Sequence, residues 1–282
     1  MDLVIFNSTN SEPRGNDLSR FVFQPSTGTL QFPNGNYRVA LASASLYYSW
    51  ENIRTAYNNN SFQYIWQGTT FDVDIPDGSY SISQINSYLQ SVMIANDHYL
   101  INAAGDNVYY LEMITNPTQY AIQLNCYPIP TALPAGWSQP AGWSGYPASL
   151  ETPQFVIENN DFQNTIGILS GTYPPAPVAI DYSKLSDFTP QVSVVQSVLV
   201  RCNLLKNKLS IPNDILYSFA ISDVSFGSTI EISPPELLWG RVEAGSYNNI
   251  ELQFLTQDFQ PLPLQDINLT LTLVIKDTTI EI

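Results

Sequence analysis

The chain has 282 residues, 44% of them apolar, enough for one large core or two modest ones, so small disulfide scaffolds and disordered tails are excluded. Only 12% are charged, about half the ~25% typical of soluble domains, yet 25 acidic against 10 basic residues leave a net charge of −15. Such a chain cannot neutralise phosphates and is repelled by anionic headgroups, which sets nucleic acid and membranes aside as partners and leaves a surface of amides and hydroxyls.

In chain order, Met1 to Asn10 holds an apolar run of only four residues, Leu3 to Phe6, with no basic flank, and does not read as a secretory signal. No later stretch approaches the ~18 apolar residues of a membrane span. Arg20 to Gln24 puts Phe21 and Phe23 on one face; Tyr37 to Tyr48 and Phe71 to Ile75 continue the period-two alternation of half-buried strands. Ile75-Pro76-Asp77-Gly78 is a turn. Behind it, Ile82, Ile85, Leu89, Val92 and Met93 recur at helical spacing after a capping box at Ser81 to Gln84. This predicts one substantial helix, over 81–95, capping an end of the sandwich. Strand patterns resume at Val108 to Thr115, Tyr120 to Tyr127, Ser197 to Asn203, Ile215 to Ile221 and Asn249 to Leu255. The last has Leu269, Leu271, Leu273 and Ile275 facing one way and Thr270 and Thr272 the other. Twenty prolines and fourteen glycines lie largely between these segments, which indicates an all-β sandwich or barrel.

Between Cys126 and Phe155 runs a long irregular stretch with a small repeat, Pro134-Ala135-Gly136-Trp137-Ser138 and Pro140-Ala141-Gly142-Trp143-Ser144. Loops of this length are often functional. Trp137 and Trp143 have two readings: lids folded onto apolar side chains, or aromatic plates offered to a sugar or a neighbouring subunit. From Arg54 to Lys184 there is no Lys or Arg over 129 positions, although ten acids lie there.

The residues make no positive case for catalysis, and no catalytic, cofactor or metal residue is assigned. His98, the only histidine, stands among polar neighbours just past the predicted helix and reads as a surface or helix-end residue; no G-x-S-x-G motif is present. Asp72, Asp74 and Asp77 with Gly78 fail the calcium-loop pattern because of Pro76, and read as strand and turn. Cys126 and Cys202, without C-x-x-C spacing, read as buried reduced thiols.

A series of segments nevertheless resembles one family. Leu18-Ser19-Arg20-Phe21-Val22-Phe23, then Tyr37 to Trp50 with Asn52-Ile53, is similar to the N-terminal part of the penton, or minor capsid, proteins of virophages and polinton-like viruses. Ile75 to Ile82 leading into Ile85-Asn86-Ser87-Tyr88-Leu89 is similar to the family's turn and helix, and Asn164-Thr165-Ile166-Gly167 to its Asn-Ser-Ile-Gly segment. Ser197 to Leu204, Leu216 to Phe219, Ile250 to Leu262 and Leu271 to Lys276 follow in the same order.

The resemblance implies a single jelly-roll β-sandwich of eight antiparallel strands, with one helix and a long insertion between strands D and E. It implies a structural protein of the virion: a homopentamer at the icosahedral fivefold vertices, beside a double-jelly-roll major capsid protein, with no cofactor. On this reading strand B lies near 19–24, C near 36–48, D near 61–75, F near 196–203, G near 214–222, H near 248–256 and I near 268–276. Residues 108–115, 120–127 and 154–158 compete for strand E. The expected organisation is residues 1–96 as the first part of the roll with its helix, 97–180 as a D–E excursion that projects from it, and 181–282 as the second part. Trp137 and Trp143 fall in the excursion as candidate partner contacts. The alternative is a β-sandwich module that binds glycan through this loop.

Overall fold

The computed structural model describes residues 2–7, 11–14, 17–26, 28–221, 224–266 and 268–279. Before residue 50 the chain forms β1 (Asp2–Asn7), β2 (Ser11–Arg14), β3 (Asp17–Phe23) and β4 (Tyr37–Tyr47). There follow β5 (Ser61–Trp66), β6 (Thr69–Asp74), α1 (Ile82–Ala95), β7 (Leu111–Asn116) and β8 (Ala121–Cys126). Next come β9 (Gln154–Ile157), α2 (Phe162–Ile166), β10 (Gly171–Tyr173) and β11 (Tyr182–Leu185). The last stretch holds β12 (Ser197–Cys202), β13 (Ile215–Ala220), β14 (Thr229–Ile232), β15 (Ile250–Thr256) and β16 (Leu269–Asp277). The chain divides into two compact units, residues 1–50 with 195–282, and residues 51–194.

The first unit contains two antiparallel sheets, in the orders β1-β16-β4-β14 and β13-β12-β15-β3-β2. Lettered along the chain, these are B-I-D-G and C-H-E-F, the two sheets of a jelly roll, with β2 added beside C. The alternation seen in the sequence sets their faces. Phe6, Leu271 and Ala44 face one another across three strands and point inward, as do Leu269, Leu46 and Ile230. They meet Phe21, Val198, Val200, Leu252 and Phe254 of the second sheet in one core, where Phe21 and Phe254 pack edge to face at 6.1 Å. A bulge between Thr272 and Leu273 shifts the register of β16 on β4.

The jelly roll stands, but the strand letters move by one. Strand B is β1, from the apolar start of the chain. The segments expected as B and C are C and D, those expected as F and G are E and F, and G is β14; residue 222 of the range expected for G lies outside the described residues. H and I keep their places. The contested strand E is therefore β12, and residues 108–115, 120–127 and 154–158 all belong to the second unit. So does the 61–75 hairpin that was expected as D. The insertion between D and E thus spans 51–194 instead of 97–180, and it takes in the helix.

This inserted unit has its own core. Sheet β10-β9-β5-β6 contributes Phe155, Ile157, Phe62, Tyr64, Trp66 and Val73, and β7-β8-β11 contributes Leu111, Met113, Ile122 and Leu124. Helix α1 adds Ile82, Ile85, Leu89 and Met93 to the same cluster. Its capping box forms as expected: Gln84 N donates to Ser81 Oγ at 3.3 Å, and Ser81 N donates to Gln84 Oε1 at 2.8 Å. Short helix α2 ends at Gly167, whose φ of 71° and close approach to the Phe188 carbonyl leave no room for a Cβ.

Charge is split between the units. The inserted one holds twelve of the 25 acids but only Arg54 and Lys184 of the ten basic residues. Those two pair locally, Arg54 with Glu51 at 3.2 Å and Lys184 with Asp187. Amides and hydroxyls serve several of the other acids, as where Glu112 Oε2 accepts from Tyr127 Oη at 3.0 Å and Asn125 Nδ2 at 3.1 Å.

Candidate interaction surfaces

In the inserted unit, the histidine and the two loop tryptophans singled out in the sequence are engaged in packing. His98 is buried, contrary to the surface position expected of it. Its ring stacks on Trp66 at 4.6 Å, meets the edge of Phe71 at 4.5 Å, and hydrogen-bonds through Nδ1 to the Tyr64 hydroxyl at 2.8 Å. Polar flanks hid this, because the apolar partners come from β5 and β6, some thirty positions upstream. Burial pushes the imidazole down to about 4, against a weaker opposing pull from Asp97, and pushes the Tyr64 phenol well above its ordinary value.

Trp137 and Trp143 are half-buried and pack on the inserted unit's core. The two repeats form matching turns, with Trp137 N donating to Pro134 O at 3.1 Å and Trp143 N to Pro140 O at 3.2 Å. Their glycines serve different needs: Gly136 has a φ of 79°, whereas a Cβ on Gly142 would collide with the Asp97 carboxylate. Trp143 stands edge-on to Trp66 at 5.6 Å, and the Trp66 indole donates to Ser144 Oγ at 2.9 Å. The Trp143 indole nitrogen is buried without a hydrogen-bond partner among the described residues. Beside this loop a recess of about 280 Å³ is lined by Gln67, Glu151, Thr152 and Gln154.

Asp72 and Asp74 lie exposed on β6, and Asp77 Oδ1 accepts from Thr55 N at 2.7 Å and Oγ1 at 2.8 Å. Cys126 and Cys202 are buried free thiols, one in each unit, and burial raises both to about 12. Among the described residues, no group of three or more His, Cys, Asp or Glu side chains could hold a metal ion.

The two outer faces of the jelly roll differ in chemistry. On C-H-E-F, Arg20 of β3 pairs with Glu251 of β15. Arg201 of β12 grips Asp214 through two bonds of 2.8 Å and donates to Gln253 Oε1 at 3.2 Å. On B-I-D-G, residues directly opposite in register share a face, which places Asn7, Thr270, Ser45 and Glu231 in one outward row and Ile5, Thr272 and Ser43 in the next. Leu3, Ile5 and Tyr47 are exposed there. Glu231, on edge strand β14, is the only charge in these rows. At the end of the roll holding the loop between E and F, Leu209 and Ile211 stand almost fully exposed next to Lys208. Sequence reading missed the ion pairs, although the same alternation that buries Phe21 turns Arg20 outward.

Two of the solved structures that resemble the chain are viral. One is the crystal structure of the mavirus penton protein, 11% identical, covering 98% of this chain and 99% of that one with a TM-score of 0.46. The other is a chain of the cryo-electron microscopy structure of the Sputnik virophage, 14% identical, covering 99% of each chain with a TM-score of 0.38. No family model and no curated protein matches.

Proposed function

We propose that this chain is a structural capsid protein of a virion, a penton whose five copies form the capsomer at the icosahedral fivefold vertices, beside a double-jelly-roll major capsid protein. The observation that carries the reading is the strand order, B-I-D-G on C-H-E-F, with a separate compact unit interposed between D and E. The segments through which the sequence resembles virophage and polinton-like virus pentons fall on strands C, D, E, F, H and I of this roll and in the inserted unit.

The mechanism is architectural. A jelly roll offers two broad flanks for lateral contact and short loops at its ends, one of which accepts a whole inserted domain without disturbing either sheet. A fivefold ring needs a heterologous contact, one flank meeting a different surface on the next copy. The residues able to do chemistry fit this role: His98 and both thiols are packed in cores. Sedimentation velocity and mass photometry of the purified chain test the reading. A five-chain species is expected, and a strictly monomeric chain at high concentration contradicts it.

A further inference from the structure

We infer that the outer face of the B-I-D-G sheet, centred on Ile5, Thr270, Thr272 and Ser45, is the flank buried against a second copy of this chain. The inference rests on the penton reading and names the surface that reading leaves open.

Three features point to a copy as the occupant. First, the face exposes large apolar side chains: Leu3 is 65% and Ile5 48% accessible on a strand whose alternate residues Val4 and Phe6 enter the core. Solvent-facing strand positions are ordinarily polar. Second, around Ile5, Thr270, Thr272 and Ser45 it carries one charge, Glu231 on the edge strand, on a chain of net charge −15; Arg38 and Lys276, outward on the same two strands, lie toward the other end of the sheet. Two like-charged chains approach most favourably where neither presents a carboxylate, whereas a basic partner would select the acid-rich inserted unit. Burying Thr270, Thr272, Ser43 and Ser45 desolvates hydroxyls that can pair across a contact. Burying the middle of C-H-E-F would desolvate two ion pairs, Arg20 with Glu251 and Arg201 with Asp214. Third, the face is not flat. A recess of about 200 Å³ opens on it, lined by Asn7, Ser45, Tyr47, Thr229 and Thr270, and can receive a side chain from the neighbour. Fivefold closure makes the neighbour's contacting surface a different one.

The test places one carboxylate on each flank. Thr270→Glu and Ile5→Glu charge the B-I-D-G face, and Ser218→Glu, at an exposed position of β13, charges the other. Sedimentation velocity is run on each variant and the unaltered chain over a common concentration range, with thermal unfolding as the check on folding. The inference expects five-chain assembly of the unaltered chain and of S218E, and at least tenfold weaker assembly of T270E and I5E. Assembly of T270E and I5E equal to the unaltered chain overturns the inference and leaves the penton reading intact. A monomeric unaltered chain overturns both. If the charged variants misfold, Thr270→Cys decides, because both natural thiols are buried. Its maleimide labelling should be at least tenfold slower in the assembly than in diluted monomer, and equal rates overturn the inference.

Discussion

The Tyr64 hydroxyl and His98 Nδ1 lie 2.8 Å apart, hydrogen-bonded inside the inserted unit, with the imidazole flat against Trp66. This arrangement holds the ring neutral: its proton affinity falls to about 4 from an ordinary 6.5. The folded state therefore binds fewer protons than the unfolded state between those values. The stabilisation is fully present above pH ~6.5 and is lost as pH falls through that window, about 3 kcal/mol by its lower end. Urea unfolding followed by tryptophan fluorescence at several pH values from 7.5 to 4.5 should show this loss. His98→Phe should make the slope shallower, and an unchanged slope would place its cause elsewhere.

Asn52 ties the inserted unit together where it begins and ends. Its buried amide donates to Tyr80 O and Val192 O, each at 2.8 Å, and its Oδ1 accepts from Tyr80 N at 2.8 Å. Asn52→Ala leaves one N–H and two carbonyls without partners, a cost of about 2–4 kcal/mol. A fall in the urea midpoint with little change in slope is expected. A loss below about 0.5 kcal/mol would show that solvent replaces these bonds.

The jelly roll should fold without its insertion. No strand of 51–194 pairs with either of its sheets among the described residues, and its core draws only on residues before 51 and after 194. The bond from Asn52 to Val192 brings the first and last turns of the insertion side by side, so a short linker can replace 51–194. That product should give a β-type circular dichroism spectrum and cooperative unfolding. A chain without cooperative unfolding would contradict the division into two units.

Much of this was legible in the sequence. Alternation marked most long strands, and the capping box at Ser81 marked α1 with its buried face. What failed was the strand lettering, and the cause lies in Leu3 to Phe6. A strand announces itself by alternation only if its outward residues are polar, and here Leu3 and Ile5 are outward yet apolar. The run looked too short to count, so the next two strands were lettered one place early; counting the 61–75 hairpin and a strand E from within the insertion then put the following two one place late. The residues that concealed strand B are those that make its sheet's outer face unusual. Strand G, only Thr229–Ile232, gave too few positions for a period. His98 was unreadable for another reason: its partners, Tyr64, Trp66 and Phe71, are brought to it by tertiary structure.

Fivefold symmetry with a buried B-I-D-G face is the central claim. Cryo-electron microscopy of the purified chain, at concentrations where sedimentation shows a complex, should reveal five-membered rings with the B-I-D-G face of each copy covered by its neighbour. Monomers at every concentration, or rings that leave Ile5 and Thr270 facing solvent, would contradict it.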